Sequence, residues 1–263
     1  MSVAKGARDP KFLRLELAPM RIVPALILTL VLAAGCSDGP RSGAAAQPAR
    51  GPNGFPTPDR PVASVVTDTF SSGPDRDAAD ESGQLIRGLE IRPGMAVADI
   101  GAGSGYHTLR LSPAVGPTGV VYAEDIVEHY VSGLRREAER RGLKNVRIIV
   151  GEPDDPKLPA GSVDRAILVH MYHEIENPYA LLWNLAPALK AGGRVGVIDV
   201  DRPTQNHGVS PALLECEFEA VGYRMVDFRR LQGGVGYLAV FEPPAPAARP
   251  KPEDIQVCEA PTP

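Results

Sequence analysis

The sequence predicts an α/β fold in which a seven-stranded, mostly parallel sheet ends in a C-terminal antiparallel strand pair. From about residue 61 to residue 242, short runs of β-branched residues alternate with helical stretches. This alternation is typical of a sheet covered by helices. The apolar content of 43% is sufficient for a globular core. We therefore expect a single domain over residues 61–242.

The elements of this domain follow from its apolar runs and from its helix-breaking residues. A first helix is expected at 75–89, and Arg92-Pro93-Gly94 turns the chain into the first strand. Pro113 and Pro117 should limit the second helix, and Gly142 should end the third. Strands are predicted at 97–100, 119–122, 146–150, 163–169, 194–200, 223–228 and 235–241, and the remaining helices at 106–111, 127–141, 178–189 and 211–221.

Residues 1–35 differ in composition from the rest of the chain. Basic residues precede an apolar run at 22–34, which ends in small residues before Cys36. This order is typical of a secretory signal peptide, and the run is too short for an ordinary membrane-spanning helix. Ala33-Ala34-Gly35-Cys36 resembles a bacterial lipobox. This resemblance implies that the chain is cleaved before Cys36 and that Cys36 then carries a lipid. We expect a lipoprotein anchored on the periplasmic side or in the cell envelope; an uncleaved N-terminal anchor is the alternative.

The segments on either side of the domain are rich in proline and small residues. We expect residues 36–60 to be a flexible Pro/Gly/Ala linker and residues 243–263 to be a disordered Pro-rich tail. Cys216 and Cys258 could pair in an oxidising compartment. Because Cys258 lies in the tail, free thiols are an equal alternative.

The central motif follows the first predicted strand and consists of three glycines on alternate positions. It reads Asp99-Ile100-Gly101-Ala102-Gly103-Ser104-Gly105. Glycines let the backbone turn sharply and approach a ligand, and the following helix offers free N–H groups. The third glycine follows the second after one residue, whereas the dinucleotide fingerprint requires two. The motif therefore predicts a ligand loop of another kind.

This motif resembles motif I of the class I S-adenosylmethionine-dependent methyltransferases, which have a single Rossmann-like domain. The resemblance implies S-adenosylmethionine as the cofactor. The chain is also similar to a group of exported bacterial predicted methyltransferases with a lipoprotein signal. This second resemblance is carried by the segments 93–106, 154–159, 171–174 and 207–208. The resemblance places the methionine end of the cofactor at Asp99, Gly101, Ala102, Gly103 and Gly105.

Acidic residues after the second and third strands are the expected contacts of the adenosyl end. The resemblance assigns Asp125 to the ribose hydroxyls, and strand alternation should point Glu124 the other way. The resemblance also implies that an acid in the loop 151–159 accepts from the adenine amino group. Asp154 is the first choice, Glu152 the second, and Asp155 is also available.

The segment after the fourth strand is where the resemblance places methyl transfer. His173 is the candidate general base, with Tyr172 and His170 beside it; a locally hydrogen-bonded helix start explains the histidines equally well. A metal site from His170, His173 and His207 is compatible with their spacing. It lacks the carboxylate pattern of metal-dependent catechol methylases, so no metal is expected.

The sequence thus predicts a methyltransferase that acts on a small-molecule acceptor, which the residues do not identify. The net charge of −4 and the absence of an Asn/Asp-Pro-Pro-aromatic run argue against nucleic acid as a partner. Contact with the membrane is expected through the lipid on Cys36, and the oligomeric state is left open. Because the cofactor is made in the cytoplasm, the alternative is an exported binding module that has lost catalysis.

Overall fold

A seven-stranded sheet organises the part of the chain that the computed structural model describes, which is residues 49–51, 53–65 and 73–259. The strand order is β3-β2-β1-β4-β5-β7-β6, and β7 runs in the opposite direction to the other six strands. The strands are β1 Ala96–Ile100, β2 Val120–Asp125, β3 Val146–Val150, β4 Val163–Val169, β5 Leu189–Asp199, β6 Arg224–Arg230 and β7 Tyr237–Glu242. The helices are α1 Gly73–Ala78, α2 Glu81–Gly88, α3 Thr108–Val115, α4 Glu128–Arg140, α5 Pro178–Leu185 and α6 Pro211–Ala220. The predicted fold class is confirmed.

Apolar side chains on both faces of the sheet form the core. All five residues of β1 are buried, as expected for a parallel strand covered by helices on both sides. Val97 packs in one apolar cluster with Leu85 of α2 and Leu111 of α3. Ala98, the next residue, packs in the other cluster with residues of α5 and α6. Helices α2 and α3 therefore cover one face, and α5 and α6 cover the other.

The order of the strands determines where a ligand can bind. From β1 the chain continues outward to β2 and β3, and it then returns to the other side of β1 with β4. At such a reversal the connections leave in opposite directions, and a crevice opens beyond the carboxyl ends of the two central strands. The glycine loop (Gly101–Gly105) follows β1 and the segment 170–174 follows β4, so both border this crevice.

Two of the predicted helices differ from expectation. The helix expected at 75–89 is divided into α1 and α2, because Asp80 has a left-handed backbone with φ 51°. Helix α3 starts at Thr108 and continues through Pro113 to Val115, where Gly116 follows. Pro113 therefore does not limit the helix, and the prediction that it does was wrong.

The linker prediction is wrong for residues 53–60, which pack against the domain. Phe55 is 5% exposed, and its ring contacts the ring of Trp183 edge-on at 5.7 Å. The Arg60 side chain forms a fully buried ion pair with Glu217 of α6, with 2.8 Å between Nε and Oε1. A second Arg60 nitrogen donates to the carbonyl oxygen of Ile175. Residues 53–60 contain few apolar side chains, and they are held by the Phe55 ring and by the ion pair and hydrogen bond of Arg60.

The predicted disordered tail is ordered over residues 243–259. Ile255 and Cys258 are buried, and Cys258 forms a disulfide with Cys216 of α6. The guanidinium group of Arg50 donates to the carbonyl oxygens of Pro252 and Glu253. The two cysteines are 42 positions apart in the sequence. A disulfide typically stabilises a domain by about 2–4 kcal/mol. Of the two alternatives for the cysteines, the structure has the paired one.

The predicted signal peptide, residues 1–35, and Cys36 lie outside the described residues. Within the described ranges, no helix combines the length and the apolar character that crossing a membrane requires.

Candidate functional site

A cavity of about 230 Å³ opens where the carboxyl ends of β1, β2 and β4 meet. The glycine loop, the ends of β1 and β2, and the segments after β3 and β4 form its wall. The residues of the predicted site that line it are Asp99, Gly101, Ala102, Gly103, Asp125, Glu152 and His170. Gly105, Asp154, Asp155, Tyr172 and His173 do not line it.

Two glycines of the loop are required by their surroundings. Gly101 has φ +67°, and a Cβ on it would lie 3.0 Å from side-chain atoms of Met171 on the far side of the crevice. Gly105 has φ +89°, and a Cβ there would lie 2.3 Å from Leu134 Cδ1 of α4. Gly101 therefore keeps the crevice open, while Gly105 lets the loop pack against α4. The predicted cofactor contact of Gly105 stays a prediction, since Gly105 does not line the cavity.

Hydrogen bonds join the glycine loop to the end of β2. The Ala102 N–H donates to the carbonyl oxygen of Glu124 at 2.8 Å. The Gly103 N–H donates to Asp125 Oδ2, also at 2.8 Å. The other carboxylate oxygen, Oδ1, accepts from the Val127 N–H. Asp125, which is 7% exposed, therefore fixes the position of the loop in addition to lining the cavity.

Asp99 lies at the end of β1 and is almost fully buried. The Thr108 hydroxyl donates to its Oδ2 at 2.6 Å, which connects the strand to the start of α3. Burial raises the pKa of Asp99, although this hydrogen bond and the nearby His107 and Arg76 oppose the effect. Asp99 thus contributes a carboxyl group at the floor of the cavity.

Glu124 also lines the cavity, contrary to the prediction that strand alternation turns it away. The strand ends here, so its side chain can bend back toward the loop, and Oε2 lies 3.4 Å from the Gly101 N–H. Its side chain is 2% exposed. Burial raises the pKa of Glu124 to about 8, and the negative charges of Asp125 and Asp99 add to this effect. Glu124 is therefore mostly protonated at neutral pH.

The segment after β3 contributes Glu152 and Pro153 to the cavity. Asp154 is directed elsewhere: its Oδ2 accepts from the Asn53 side chain at 2.7 Å. Asp155 accepts from the backbone N–H of Lys157 and pairs with the Lys157 ammonium group. Of the three acids, only Glu152 lines the cavity, while Asp154 and Asp155 are bonded to Asn53 and Lys157. The residue that contacts the adenine stays a prediction.

The three residues proposed for chemistry after β4 have different environments. His170 lines the cavity, has a left-handed backbone with φ 54°, and places Nε2 3.1 Å from Glu81 Oε2. Tyr172 is fully buried in the core beside Phe218 and the Arg60 guanidinium group. A catalytic role for Tyr172 is therefore inconsistent with its position. His173 is 1% exposed, and its Nδ1 lies 2.9 Å from Asp199 Oδ2.

A polar cluster on α1, on α2 and at the residue before α3 was missed by the sequence analysis. Arg76 and His107 line the cavity, and both contact the buried carboxylate of Glu81. Burial would raise the pKa of Glu81, but contacts with His107, His170 and Arg76 hold it well below its usual range. In the sequence, Glu81 is only an acid on a predicted helix. Nothing local indicates that it is buried or that Arg76 and His107 contact it.

Part of the chain is similar in sequence to methyltransferases. The model of the family described as "Methyltransferase domain" matches residues 97–193. The chain is similar to Nocamycin O-methyltransferase of Saccharothrix syringae, with 32% identity over 114 residues, 43% of this chain and 41% of that protein. It is equally similar to the Protein-L-isoaspartate O-methyltransferase of Methanothrix thermoacetophila, with 32% identity over 118 residues, 45% of this chain and 53% of that protein. The alignments thus span about half the length of these curated relatives.

Solved structures share the fold. A SAM-dependent methyltransferase from Aquifex aeolicus superposes with a TM-score of 0.57 at 24% identity, over 66% of this chain and 98% of that chain. The [4+2]-cyclase SpnF superposes with the same TM-score at 14% identity, over 71% and 88%. The domain therefore has the same Rossmann-like fold as these neighbours.

The raised pKa of Glu124 leads to a prediction for stability. An acid whose pKa is higher in the folded state stabilises the fold only while it is protonated, so its contribution falls as pH rises from about 5 to 8. We expect the Glu124→Gln variant to gain stability relative to the original chain over this range. The gain should be on the order of a few kcal/mol, since each pKa unit corresponds to about 1.4 kcal/mol. Urea unfolding of both proteins between pH 5 and pH 9 measures it.

Glu152→Gln is the matched control, because Glu152 is an exposed acid on the same cavity. A stability difference between the Glu124→Gln and original proteins that does not vary with pH would show that Glu124 titrates normally.

Proposed function

We propose that this domain transfers a methyl group from S-adenosylmethionine to a small-molecule acceptor. The observation that carries the proposal is the acidic crevice beyond β1 and β2, where the glycine loop is hydrogen-bonded to Asp125. Carboxyl groups suit a ligand that carries a sulfonium cation, an amino group and two ribose hydroxyls. The family match over residues 97–193 supports the same assignment.

Asp125 has the hydrogen-bonding capacity to hold the ribose. A carboxylate accepts about four hydrogen bonds. Two of these positions are used by the N–H groups of Gly103 and Val127. The two that remain match the neighbouring hydroxyls of a ribose. Next to it, Ile126 lines the cavity with 44% of its surface exposed, which offers an apolar face for the adenine.

The opposite end of the crevice suits the amino acid part of the cofactor. We assign the methionine carboxylate to Arg76, which lines the cavity beside the glycine loop. Its guanidinium group is fixed by Glu81 at 2.6 Å and lies over the Tyr106 ring at 3.9 Å. We assign the methionine amino group to Asp99 on the cavity floor.

Methyl transfer is an in-line displacement, so positioning and exclusion of water account for most of the acceleration. Met171, Ile175 and Leu181 line the end of the cavity that would receive the acceptor. A general base is needed only for an acceptor that must lose a proton. His170 has the position for this role, since it lines the cavity while Glu81 holds its ring.

We infer that the domain acts outside the cytoplasm as a lipid-anchored protein. The signal-like residues 1–35 and the lipobox at Cys36 motivate this inference. The disulfide between Cys216 and Cys258 supports it, because such bonds persist mainly in oxidising compartments. The same location favours the second candidate, a binding module that has lost catalysis, since the cofactor is made in the cytoplasm.

Calorimetry with S-adenosylmethionine and S-adenosylhomocysteine tests the proposed cofactor site. We expect the full chain to bind both. Asp125→Asn, whose single side-chain oxygen can accept from the Gly103 or the Val127 N–H but not from both, should weaken binding at least tenfold. Charge-assisted hydrogen bonds contribute about 1.5–3 kcal/mol each, and about 1.4 kcal/mol corresponds to a factor of ten.

Asp154→Asn is the control, because Asp154 contacts Asn53 away from the cavity and should leave binding unchanged. A folded protein that binds neither compound at millimolar concentration would rule out the cofactor and favour the binding module. If Asp154→Asn weakens binding and Asp125→Asn does not, the assignment of the ribose is wrong.

The anchor is tested in the producing bacterium. Cys36→Ser should leave an unprocessed precursor and abolish labelling by a fatty-acid analogue, because the lipid is attached through the thiol. Ser37→Ala, the neighbouring control, should be processed and labelled normally. Normal processing and labelling of Cys36→Ser would refute the lipoprotein assignment.

A further inference from the structure

Two histidines and a glutamate lie together behind the acceptor end of the cavity. One ligand atom from each of His173, Glu174 and His207 lies within 4.8 Å of the others. His207 Nδ1 is 4.0 Å from Glu174 Oε1, and the rings of His173 and His207 are perpendicular, with centroids 5.4 Å apart. The sequence analysis considered His170 for such a cluster, but His170 contacts Glu81 instead.

The contact with Asp199 fixes the orientation of the His173 ring. An ionised carboxylate can only accept, so in the neutral imidazole Nδ1 carries the proton and Nε2 is the nitrogen that can bind a metal. His173 and Asp199 are at most 1% exposed, so bulk water does not compete for this bond. A histidine whose second nitrogen donates to a buried carboxylate is the usual arrangement of a metal-ligating imidazole.

Two short turns hold the three side chains close together. His173 and Glu174 belong to the 3₁₀ turn Tyr172–Glu174 that follows β4. His207 follows the 3₁₀ turn Thr204–Asn206 and has a left-handed backbone with φ 55°. The buried Thr204 hydroxyl donates to the carbonyl oxygen of Pro61 at 2.6 Å, which fixes this second turn.

We propose that His173, Glu174 and His207 bind a divalent metal ion, with zinc as the best match, and that Asp199 supports the site. Two imidazoles and one carboxylate are a common zinc ligand set that leaves a fourth position open. Ligand atoms around a tetrahedral zinc are about 3.3 Å apart, given bonds of about 2.0–2.1 Å. The side chains must therefore close by roughly 1 Å when the ion binds.

The open coordination position gives the site a use in the proposed reaction. Glu174 belongs to both the metal cluster and the cavity wall, so the ion would lie beside the acceptor. This step rests on the proposed function. A metal there would select acceptors with an oxygen donor, such as a hydroxyl or carboxylate group, and would hold that oxygen close to the reacting methyl group.

Metal titration of the full chain, purified without a polyhistidine tag and treated with a chelator, tests the site directly. We expect Zn²⁺ to bind with a stoichiometry of one, and Co²⁺ to give the visible absorption of a tetrahedral site. His207→Gln and Glu174→Gln should each lower the Zn²⁺ affinity at least tenfold. Asp199→Asn should lower it about 10–100-fold, as for other outer-shell partners.

His129→Gln is the control, because His129 is an exposed histidine on α4 and should not affect binding. His207 is partly exposed in a loop, so His207→Gln should fold even if Asp199→Asn does not; circular dichroism checks both. Equal Zn²⁺ affinity for His207→Gln, Glu174→Gln and the original chain would overturn the site, as would an absence of binding.

S-adenosylhomocysteine binding in the same samples separates this proposal from the previous one. Zn²⁺ binding without cofactor binding would support the metal site and remove its role beside an acceptor. Cofactor binding without Zn²⁺ binding would refute the metal site alone.

Discussion

The site depends on the hydrogen bonds that join the glycine loop to the end of β2. Backbone donors of Ala102 and Gly103 reach the carbonyl oxygen of Glu124 and the carboxylate of Asp125. These bonds are possible only because β1 and β2 are parallel neighbours whose carboxyl ends lie at the same edge of the sheet. A single residue, Asp125, thus fixes the loop and faces the ligand, so the structure and the proposed chemistry of this edge are linked.

Much of the fold was predictable because its signals are local. The runs at 146–150 and 163–169 are strands with the predicted bounds, since each is a short β-branched stretch bounded by loop residues. The alternate glycines likewise predicted a close-approach loop, and Gly101 requires that freedom. The second strand ends at Asp125, as the strand-end position assigned to that acid predicted.

What the sequence could not predict depends on contacts between distant residues. Composition alone suggested that residues 36–60 and 243–263 do not fold, yet the Arg60–Glu217 ion pair and the Cys216–Cys258 disulfide fasten parts of both segments to α6. The choice among the acids after β3 likewise depended on Asn53, which lies about a hundred residues earlier and holds Asp154 away from the cavity. None of these three contacts has a local signature.

A crystal structure of the full chain with S-adenosylhomocysteine tests the central claim most directly. The account predicts that both ribose hydroxyls lie within about 2.5–3.2 Å of the Asp125 carboxylate oxygens. It also predicts that the Gly103 N–H bond to Asp125 is retained and that the adenine lies against Ile126 beside Glu152. A ligand that binds elsewhere, or whose ribose contacts other residues while Asp125 contacts only the protein backbone, would contradict it.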